Sequence, residues 1–428
     1  MEDQISELPD EILVTILSLL TMKEVARTSV LSHRWKNLWT FTTGSLDFDC
    51  SELVFELTVM ESREFLEGVK PKFVGWVNQV LELHQGPTVD EFKVGFDLDT
   101  ASFKGDIDRW VNFAVEKKAK RFVLDLTSYR RITPVGHYAF PPHPLNVSHF
   151  NSLTSLTLKG VDVTGEVLES FLSSCPFLEE LCVAESWCLA NLKVSGSSSV
   201  KLKHLGLHLC HFLENLEISS KNLVSFKYFG PVINTPLKDV PRLVEASLGG
   251  LYCESLFDNF EQPLPSFLSQ LETLVLDLHS EGPVRFPKFP TLRLSNLRHL
   301  ELKVKAYDSV CLFSCTSLIK AAPLLYRFVL QLFWSDNRIG RKMRARNVKK
   351  CPHHCLKVVE LIGFIGCSAD IELTRYLLKN TSSLEKITIN PRPPFPLNFM
   401  KIEEKVAVRE RAKRLRRELP PGVELVIL

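Results

Sequence analysis

The sequence lacks the long hydrophobic runs and the charge surplus typical of membrane proteins and of dedicated nucleic-acid binders. Its longest apolar run, from Ile12 to Leu20, spans roughly nine residues, whereas a membrane-spanning helix needs about 20. The formal net charge of the 428 residues is only +2, and a nucleic-acid-binding domain is usually strongly basic. The first residues, Met1 to Gln4, lack the basic start and apolar core of a signal peptide. We therefore expect an intracellular protein, in the nucleus, the cytoplasm or both, with neither membrane nor nucleic acid as a partner.

Motifs for catalysis and for cofactor binding are also missing. The chain has no G-x-S-x-G, H-E-x-x-H, G-x-x-x-x-G-K-[ST] or G-x-G-x-x-G pattern. Its eleven cysteines include no C-x-x-C pair from which a zinc-bound RING is built. Their odd number and their scatter through apolar runs favour reduced thiols over a disulfide framework. We therefore predict a protein that is not an enzyme and that uses no cofactor.

What the chain does have begins with three short helices predicted within residues 8–39. Pro9 suits a first helical turn, and the apolar residues after it recur at helical spacing. Thr21 and Glu24 form the capping-box pattern that starts a second helix. A third helix carries large apolar residues on one face, at Leu31, Trp35, Leu38 and Trp39. Three helices this short cannot bury so many apolar groups among themselves, so they are either the first layer of a larger core or a docking module.

The same residues resemble a plant-type F-box. The similarity runs through Leu8-Pro9-Asp10-Glu11-Ile12-Leu13, Lys23, Thr28-Ser29-Val30-Leu31-Ser32, Arg34-Trp35 and Leu38-Trp39, with Thr21 where the family usually has proline. An F-box binds the Skp-type adaptor of a cullin–RING ubiquitin ligase, and the remainder of such a chain selects the ubiquitination target. The resemblance implies that the adaptor is bound through Leu8, Pro9, Ile12, Leu13, Leu31, Trp35, Leu38 and Trp39.

Beyond the helices, the pattern L-x-x-L-x-L recurs with apolar substitutes. Strong copies begin at Leu153, Leu178, Leu202, Leu223, Leu243, Leu271, Leu297, Leu325, Leu356 and Leu384, and weaker ones at Val89 and Ala119. Their spacing is close to the about 20 to 29 residues of leucine-rich repeats. Each copy predicts a short strand with every second side chain inward, and stacked copies form a curved parallel sheet whose concave face binds partners. We therefore predict an α/β fold with an irregular leucine-rich-repeat solenoid, its helices and loops outside the sheet.

Four segments are expected along the chain. The F-box is assigned to residues 1–48, a helical linker and N-terminal cap to 49–88, the repeats to 89–350 and a C-terminal cap to 351–428. The linker rests on an amphipathic stretch between Phe65 and Leu81. The last segment, from Cys355-Leu356-Lys357-Val358-Val359 onward, resembles the FBD domain that often ends plant F-box and leucine-rich-repeat proteins. We expect it to cap the repeats and to end on a strand from Val423 to Leu428.

Two further clusters are candidates for binding. Cys351-Pro352-His353-His354-Cys355 is spaced like metal ligands, with Cys311 and Cys315 as possible partners, but Cys355 matches an FBD position before a strand, and we predict no metal. The run from Arg338 to Lys350 holds seven cations and no acid. Such a run suits an acidic partner, a nuclear-import signal, a small polyphosphate or a solvated loop. Just before it, Phe333-Trp334 is the first place to look for an exposed aromatic anchor.

These features predict a non-enzymatic substrate receptor of an SCF-type cullin–RING ubiquitin ligase. Its partners are the Skp-type adaptor, through it the cullin and RING subunits, and a target protein that the repeats bind. Two alternatives remain open. One is a co-receptor that holds a hormone or an inositol polyphosphate on the repeat face, which requires a pocket lined with Arg or Lys. The other is a repeat scaffold that assembles no ligase.

Overall fold

The computed structural model describes residues 5, 7–59, 63–128, 136–141, 150–195, 201–233, 237–258, 265–279, 294–306, 312, 315–334, 352–392 and 402–428. The chain divides into two compact units. Unit 1 comprises Met1–Leu223 with Asn234–Asp239, and unit 2 comprises Val224–Ile233 with Val240–Leu428. The basic run from Arg338 to Lys350, together with Cys311 and Cys351, lies outside the described residues.

The helices and strands are numbered in chain order. The helices are α1 Asp10–Ser18, α2 Met22–Thr28, α3 His33–Leu38, α4 Ser51–Val59, α5 Arg63–Leu83, α6 Thr100–Glu116, α7 Gly165–Ser174, α8 Gly250–Asp258, α9 Thr316–Ala321, α10 Ser368–Asn380 and α11 Ile402–Arg414. The strands are β1 Ser45–Asp49, β2 Glu91–Gly95, β3 Arg121–Asp125, β4 Tyr138–Ala139, β5 Ser155–Lys159, β6 Val161–Asp162, β7 Glu180–Ala184, β8 Asn191–Ser195, β9 His204–His208, β10 Asn215–Ser219, β11 Ser225–Phe229, β12 Leu237–Lys238, β13 Glu245–Gly249, β14 Thr273–Leu278, β15 His299–Ala306, β16 Arg327–Trp334, β17 Val358–Ile362, β18 Lys386–Asn390 and β19 Glu424–Ile427.

Each unit contains one main sheet in which all the strands are parallel. In unit 1 the order is β1-β2-β3-β5-β7-β9, and two smaller sheets, β8-β10-β12 and β4-β6, accompany it. In unit 2 the order is β11-β13-β14-β15-β16-β17-β18-β19. Strands that lie beside each other mostly follow one another along the chain, as in a stack of repeats.

The predicted repeats match the observed strands closely. Every L-x-x-L-x-L copy, including the two weaker ones, begins two residues before a strand. The leucines that open the ten strong copies are all at most 7% exposed. Within a strand the burial alternates, as Leu156 and Leu158 of β5 show, because successive side chains point to opposite faces. The predicted α/β fold with leucine-rich repeats is confirmed.

In unit 1, helices cover the inner face of the first strands. The predicted amphipathic stretch is the helix α5, and its Phe73 stacks on Phe96 with ring centroids 4.3 Å apart. Trp110 of α6 is completely buried in the same layer, at an edge-to-face contact with Phe73. Aromatic pairs in this geometry add to the hydrophobic stabilisation of a core. Helix α5 therefore packs beneath β1 and β2 in the way that the helix of a repeat does.

Two features of the architecture were not predicted. The strand β1 precedes the first recognised repeat, and it pairs with β2 from Ser45↔Glu91 to Asp49↔Gly95. Its sequence alternates like that of the other strands but lacks the preceding L-x-x-L signal. The small sheets β8-β10-β12 and β4-β6 were also not predicted, because a single strand was expected in each repeat. The strand expected near residue 428 is present as β19.

Candidate functional site

The three N-terminal helices have a small core of their own. Their ends form as the sequence predicts: the Thr21 side chain accepts a hydrogen bond from the backbone N–H of Glu24, and the Glu24 carboxylate accepts one from the N–H of Thr21, at 2.9 Å. Ser32 caps α3 by accepting from the N–H of Trp35. The core consists of Leu13, Leu17, Val25, Trp35 and Leu38, all at most 5% exposed, and Leu8, Val14, Leu20 and Trp39 pack against it.

Several large aliphatic side chains of the same helices stay in solvent. Ile12 and Ile16 of α1 are 47% and 38% exposed, and Leu19 just after the helix is 83% exposed. In the turn between α2 and α3, Val30 and Leu31 are 84% and 64% exposed. The α1 residues follow the i, i+4, i+7 spacing of one helical face. Within the described part of the chain, the helices therefore carry uncovered apolar surface, and such surface is typical of a protein-docking site.

The eight residues predicted to bind the adaptor fall into three groups. Pro9, Ile12 and Leu31 are exposed, Leu8 and Trp39 are half-buried, and Leu13, Trp35 and Leu38 lie inside the helical core. The exposed Ile16, Leu19 and Val30 were not among the predicted residues. The helical spacing from Ile12 was the available signal for Ile16 and Leu19, whereas the turn residue Val30 had none beyond its place next to Leu31.

An arginine connects the first and third helices. The Arg34 Nε donates to Asp10 Oδ1 at 2.7 Å, and its Nη2 donates to the backbone oxygen of Leu8. The ion pair is largely exposed, so it contributes little to stability. Its planar, multiple-donor geometry instead fixes the orientation of the Leu8-Pro9 start relative to α3.

Hydrogen bonds fasten the helical module to the end of α5. The N–H groups of Gln85 and Gly86 donate to the Thr40 oxygen at 2.6 and 3.0 Å, and the N–H of Thr43 donates to the Ser18 hydroxyl at 3.0 Å. These contacts join the end of the helices to the end of α5. The helical module and α5 are therefore joined within unit 1.

Two buried groups make this joint tight. A Cβ added at Gly44 would lie 1.9 Å from the backbone oxygen of Ser18, so only glycine allows α1 to approach β1 so closely. The buried His84 ring has its Nε2 2.8 Å from the Thr42 oxygen. Burial lowers the pKa of His84 and the hydrogen bond to Thr42 only partly offsets it, so the ring favours its neutral form.

Cations on the exposed faces of the main sheets lie beside acids. Their pairs are Lys93–Asp49 at 2.8 Å, Arg121–Glu91 at 3.2 Å and Lys159–Asp125 at 3.0 Å in unit 1, and Arg327–Glu360 at 2.9 Å and Lys303–Asp277 at 3.4 Å in unit 2. Most of them are cross-strand neighbours in the register. This pairing offsets the positive charge of these five cations, so the described pairs give no support to the inositol polyphosphate alternative.

The histidines of the metal-like cluster have structural partners. His353 Nδ1 accepts hydrogen bonds from the N–H groups of Cys355 and Leu356, which leaves the proton on Nε2 for the Ala322 oxygen at 2.8 Å. His354 Nδ1 lies 3.0 Å from the Ser382 hydroxyl. Within the described part of the chain, no group of three or more potential ligands is placed to hold a metal ion. His353 thus shapes the turn that leads into β17.

Comparison with known proteins agrees with this architecture. The profile of the F-box domain matches residues 5–41, and the profile described as "At1g61320/AtMIF1, LRR domain" matches residues 80–407, most of the chain. The chain belongs to this plant F-box and leucine-rich-repeat family. Within the ranges that the structure describes, no helix has the length and the apolar character needed to cross a membrane.

Similar proteins from Arabidopsis thaliana cover nearly the whole chain. The F-box/FBD/LRR-repeat protein At1g13570 is 27% identical over 433 residues, which is 91% of each chain. The F-box/FBD/LRR-repeat protein At5g53840 is 25% identical and spans 91% of this chain and 88% of its own. The putative F-box protein At3g58860 is 24% identical over 90% of this chain and 88% of its own. Each of these relatives is thus similar to the chain along most of both sequences.

Proposed function

We propose that the protein is the substrate-recognition subunit of an SCF-type cullin–RING ubiquitin ligase. The F-box helices dock on the Skp-type adaptor, which connects the chain to the cullin and RING subunits, and the exposed faces of the repeat strands bind a target protein. One observation carries the proposal. Ile12, Leu19, Val30 and Leu31 remain exposed on a helical module whose core is complete without them, and such residues are suited to a protein partner.

In this proposal the predicted adaptor-binding residues act in three ways. Pro9, Ile12 and Leu31 contact the adaptor directly, together with the neighbouring Ile16, Leu19 and Val30. The half-buried Leu8 and Trp39 contribute at the rim of the surface. The buried Leu13, Trp35 and Leu38 act from beneath, since they hold α1 and α3 in the arrangement that presents the exposed residues.

In this proposal, the partner subunits of the ligase supply the chemistry of ubiquitin transfer. The chain itself raises the local concentration of target lysines near the ubiquitin-charged enzyme, and such proximity is a large rate factor. The tight joint at Gly44 and His84 favours this role, because it fixes the F-box relative to the first repeats of unit 1. We also propose that the chain is divided into an F-box at residues 1–48, a helical linker at 49–88, repeats at 89–350 and an FBD region at 351–428.

Co-elution of the full chain with a purified Skp-type adaptor in size-exclusion chromatography tests this function. We expect a stable complex for the wild type and its loss in the double variant Ile12→Ser, Leu31→Ser. The matched control is Leu251→Ser, Leu324→Ser, since these two leucines of unit 2 are similarly exposed, at 48% and 47%. The control should still co-elute. A folded wild-type chain that does not bind the adaptor would contradict the proposal and favour the scaffold alternative.

A further inference from the structure

A small cavity lies between the helices α9 and α10 of unit 2 and the turn that leads into β17. We call it the Lys320 cavity, and its walls include Ile319, Lys320, His353, Tyr376, Leu377 and Asn380. Its volume is about 150 Å³, and an apolar cavity of this size holds one benzene ring. None of the described residues that line it belongs to a numbered strand. The cavity is therefore separate from the exposed strand faces to which the ligase proposal assigns the target protein.

Apolar groups make up most of the walls of the Lys320 cavity. Ile319 of α9 and Leu377 of α10 are buried, at 6% and 1% exposed, and Pro323 and Pro352 add their rings. The half-buried Tyr376 ring lines the same space. Apolar walls with a few polar groups are typical of sites for small molecules. A flat hydrocarbon group would gain hydrophobic burial in this cavity.

The hydrogen-bonding groups of the cavity are mostly engaged within the protein. Both ring nitrogens of His353 have the protein partners described above. The Asn380 Nδ2 donates to the backbone oxygen of Tyr376 at 2.8 Å. The backbone N–H of His353 donates to the Asn380 oxygen at 2.7 Å, which caps the end of α10. These groups therefore shape the cavity and leave the recognition of a ligand to other groups.

Lys320 carries the positive charge at the cavity, and its side chain is exposed. Its ammonium lies 6.0 Å from the centroid of the Tyr376 ring, at the outer limit of a cation–π contact. Among the described residues, Lys320 forms no ion pair with a carboxylate, and no acid lines the cavity. The first acid after α10 along the chain, Glu385, is paired with Lys357 at 2.7 Å. An anion beside Lys320 therefore meets a positive charge that no described carboxylate offsets.

We propose that the Lys320 cavity binds a small aromatic carboxylate, with the ring inside the cavity and the carboxylate on the Lys320 ammonium. The volume limits the apolar part of the ligand to a single ring. The charge of Lys320 favours an acid over a neutral molecule of the same shape. One cation does not suit a polyphosphate, which needs several. The inference goes beyond the ligase proposal and does not depend on it.

Fluorine NMR of para-fluorobenzoate, titrated with the full chain, tests the inference. We expect saturable line broadening with the wild type and an affinity about fivefold lower for Lys320→Gln, which is the loss expected for one exposed ion pair. The matched control is Lys379→Gln, at an exposed lysine of α10 that does not line the cavity, and it should change the affinity by less than about 1.5-fold. The neutral para-fluorobenzyl alcohol should bind the wild type and Lys320→Gln equally.

Two further measurements test the size of the site. A fluorinated naphthoate, with two fused rings, should bind at least about tenfold more weakly than para-fluorobenzoate, because its second ring exceeds the cavity. Ile319→Phe enlarges a side chain of the wall and should weaken the binding of para-fluorobenzoate about tenfold. A thermal melt establishes that this variant is folded.

Several results would overturn the inference. These are no saturable broadening with a folded wild type, unchanged affinity in Lys320→Gln, an equal loss in Lys379→Gln, equal binding of the naphthoate, or equal competition by acetate, which would indicate an anion site only. If Ile319→Phe unfolds the chain, Lys320→Gln supplies the deciding comparison, because Lys320 is exposed. Adaptor binding is measured separately, so failure here leaves the ligase proposal standing.

Discussion

In the repeats the leucine that opens each strong copy is at most 7% exposed, whereas Ile12, Leu19, Val30 and Leu31 of the F-box are between 47% and 84% exposed. Both regions are rich in the same aliphatic side chains. A repeat covers its apolar face with the next repeat, so stacking within the chain satisfies it. The F-box has no further helical layer over its outer face among the described residues. The comparison indicates that apolar residues stabilise the fold in one region and remain available to a partner in the other.

The largest effect should come from opening a cavity in the repeat core. Leu302 lies completely buried in β15, between β14 and β16. We expect Leu302→Ala to lower the free energy of unfolding by about 3 kcal/mol, since it removes buried methyl groups and leaves a void. Chemical denaturation, monitored by circular dichroism, measures this free energy of unfolding. The control Leu251→Ala, at an exposed leucine, should change stability by less than about 0.5 kcal/mol.

At the exposed F-box face, substitutions should weaken adaptor binding and leave the stability of the chain almost unchanged. Ile12→Ser combined with Leu31→Ser should weaken adaptor affinity about 100-fold, because both side chains lose a buried contact in the complex. The thermal transition of the isolated chain should hardly move, since neither residue belongs to the helical core. Isothermal titration and a thermal melt measure the two quantities. A large drop in stability without a change in adaptor affinity would contradict the distinction between the F-box and the repeats.

A third substitution sharpens the comparison at the joint. Gly44→Ala places a Cβ within 1.9 Å of the Ser18 oxygen and should cost about 2 kcal/mol of stability, because α1 must move away from β1. Gly75→Ala is the matched control, since a Cβ there meets no atom within 4 Å and alanine is the better helix former. The control should therefore be neutral or stabilising in the same thermal melts.

The smallest expected effect concerns a buried carboxyl in the C-terminal region. Asp370, at the start of α10, accepts hydrogen bonds from the N–H groups of Ile365 and Gly366, but burial outweighs them and raises its pKa to about 7. A raised carboxyl pKa means that the folded state favours the protonated form. The stabilising contribution of Asp370 is therefore complete below about pH 4 and is lost as the pH rises towards 7.

Asp370→Asn mimics the protonated form and removes this pH dependence. We expect the variant to be more stable than the wild type by about 1 kcal/mol at pH 7 and equal to it near pH 4. Thermal melts across this range provide the measurement. A variant that is destabilised equally at both pH values would show that the carboxyl is needed for its hydrogen bonds in ionised form.

The sequence predicts the repeats well because their physical signal is local. The alternation of inward side chains and the leucine two residues before each strand locate all twelve recognised strands. The strand β1 was missed for the same reason, since Leu46 and Phe48 alternate without that preceding leucine. Its place in the sheet depends on pairing with β2, a contact between distant residues.

The candidate site is harder to predict because both sides of α1 are apolar. Ile12 and Leu13 are neighbours in sequence, yet one is 47% exposed and the other is completely buried. Helical periodicity identifies an apolar face but does not separate the part that faces the core from the part left for a partner. The resemblance to an F-box therefore named the right module, while the structure was needed to sort its residues.

Hydrogen–deuterium exchange of the full chain, with and without the Skp-type adaptor, tests the central claim most directly. The account predicts that the adaptor slows exchange in α1 and in the turn that holds Val30 and Leu31, and leaves exchange in the strands of both sheets unchanged. Protection confined to the repeat strands, or no protection in a folded chain, would contradict it.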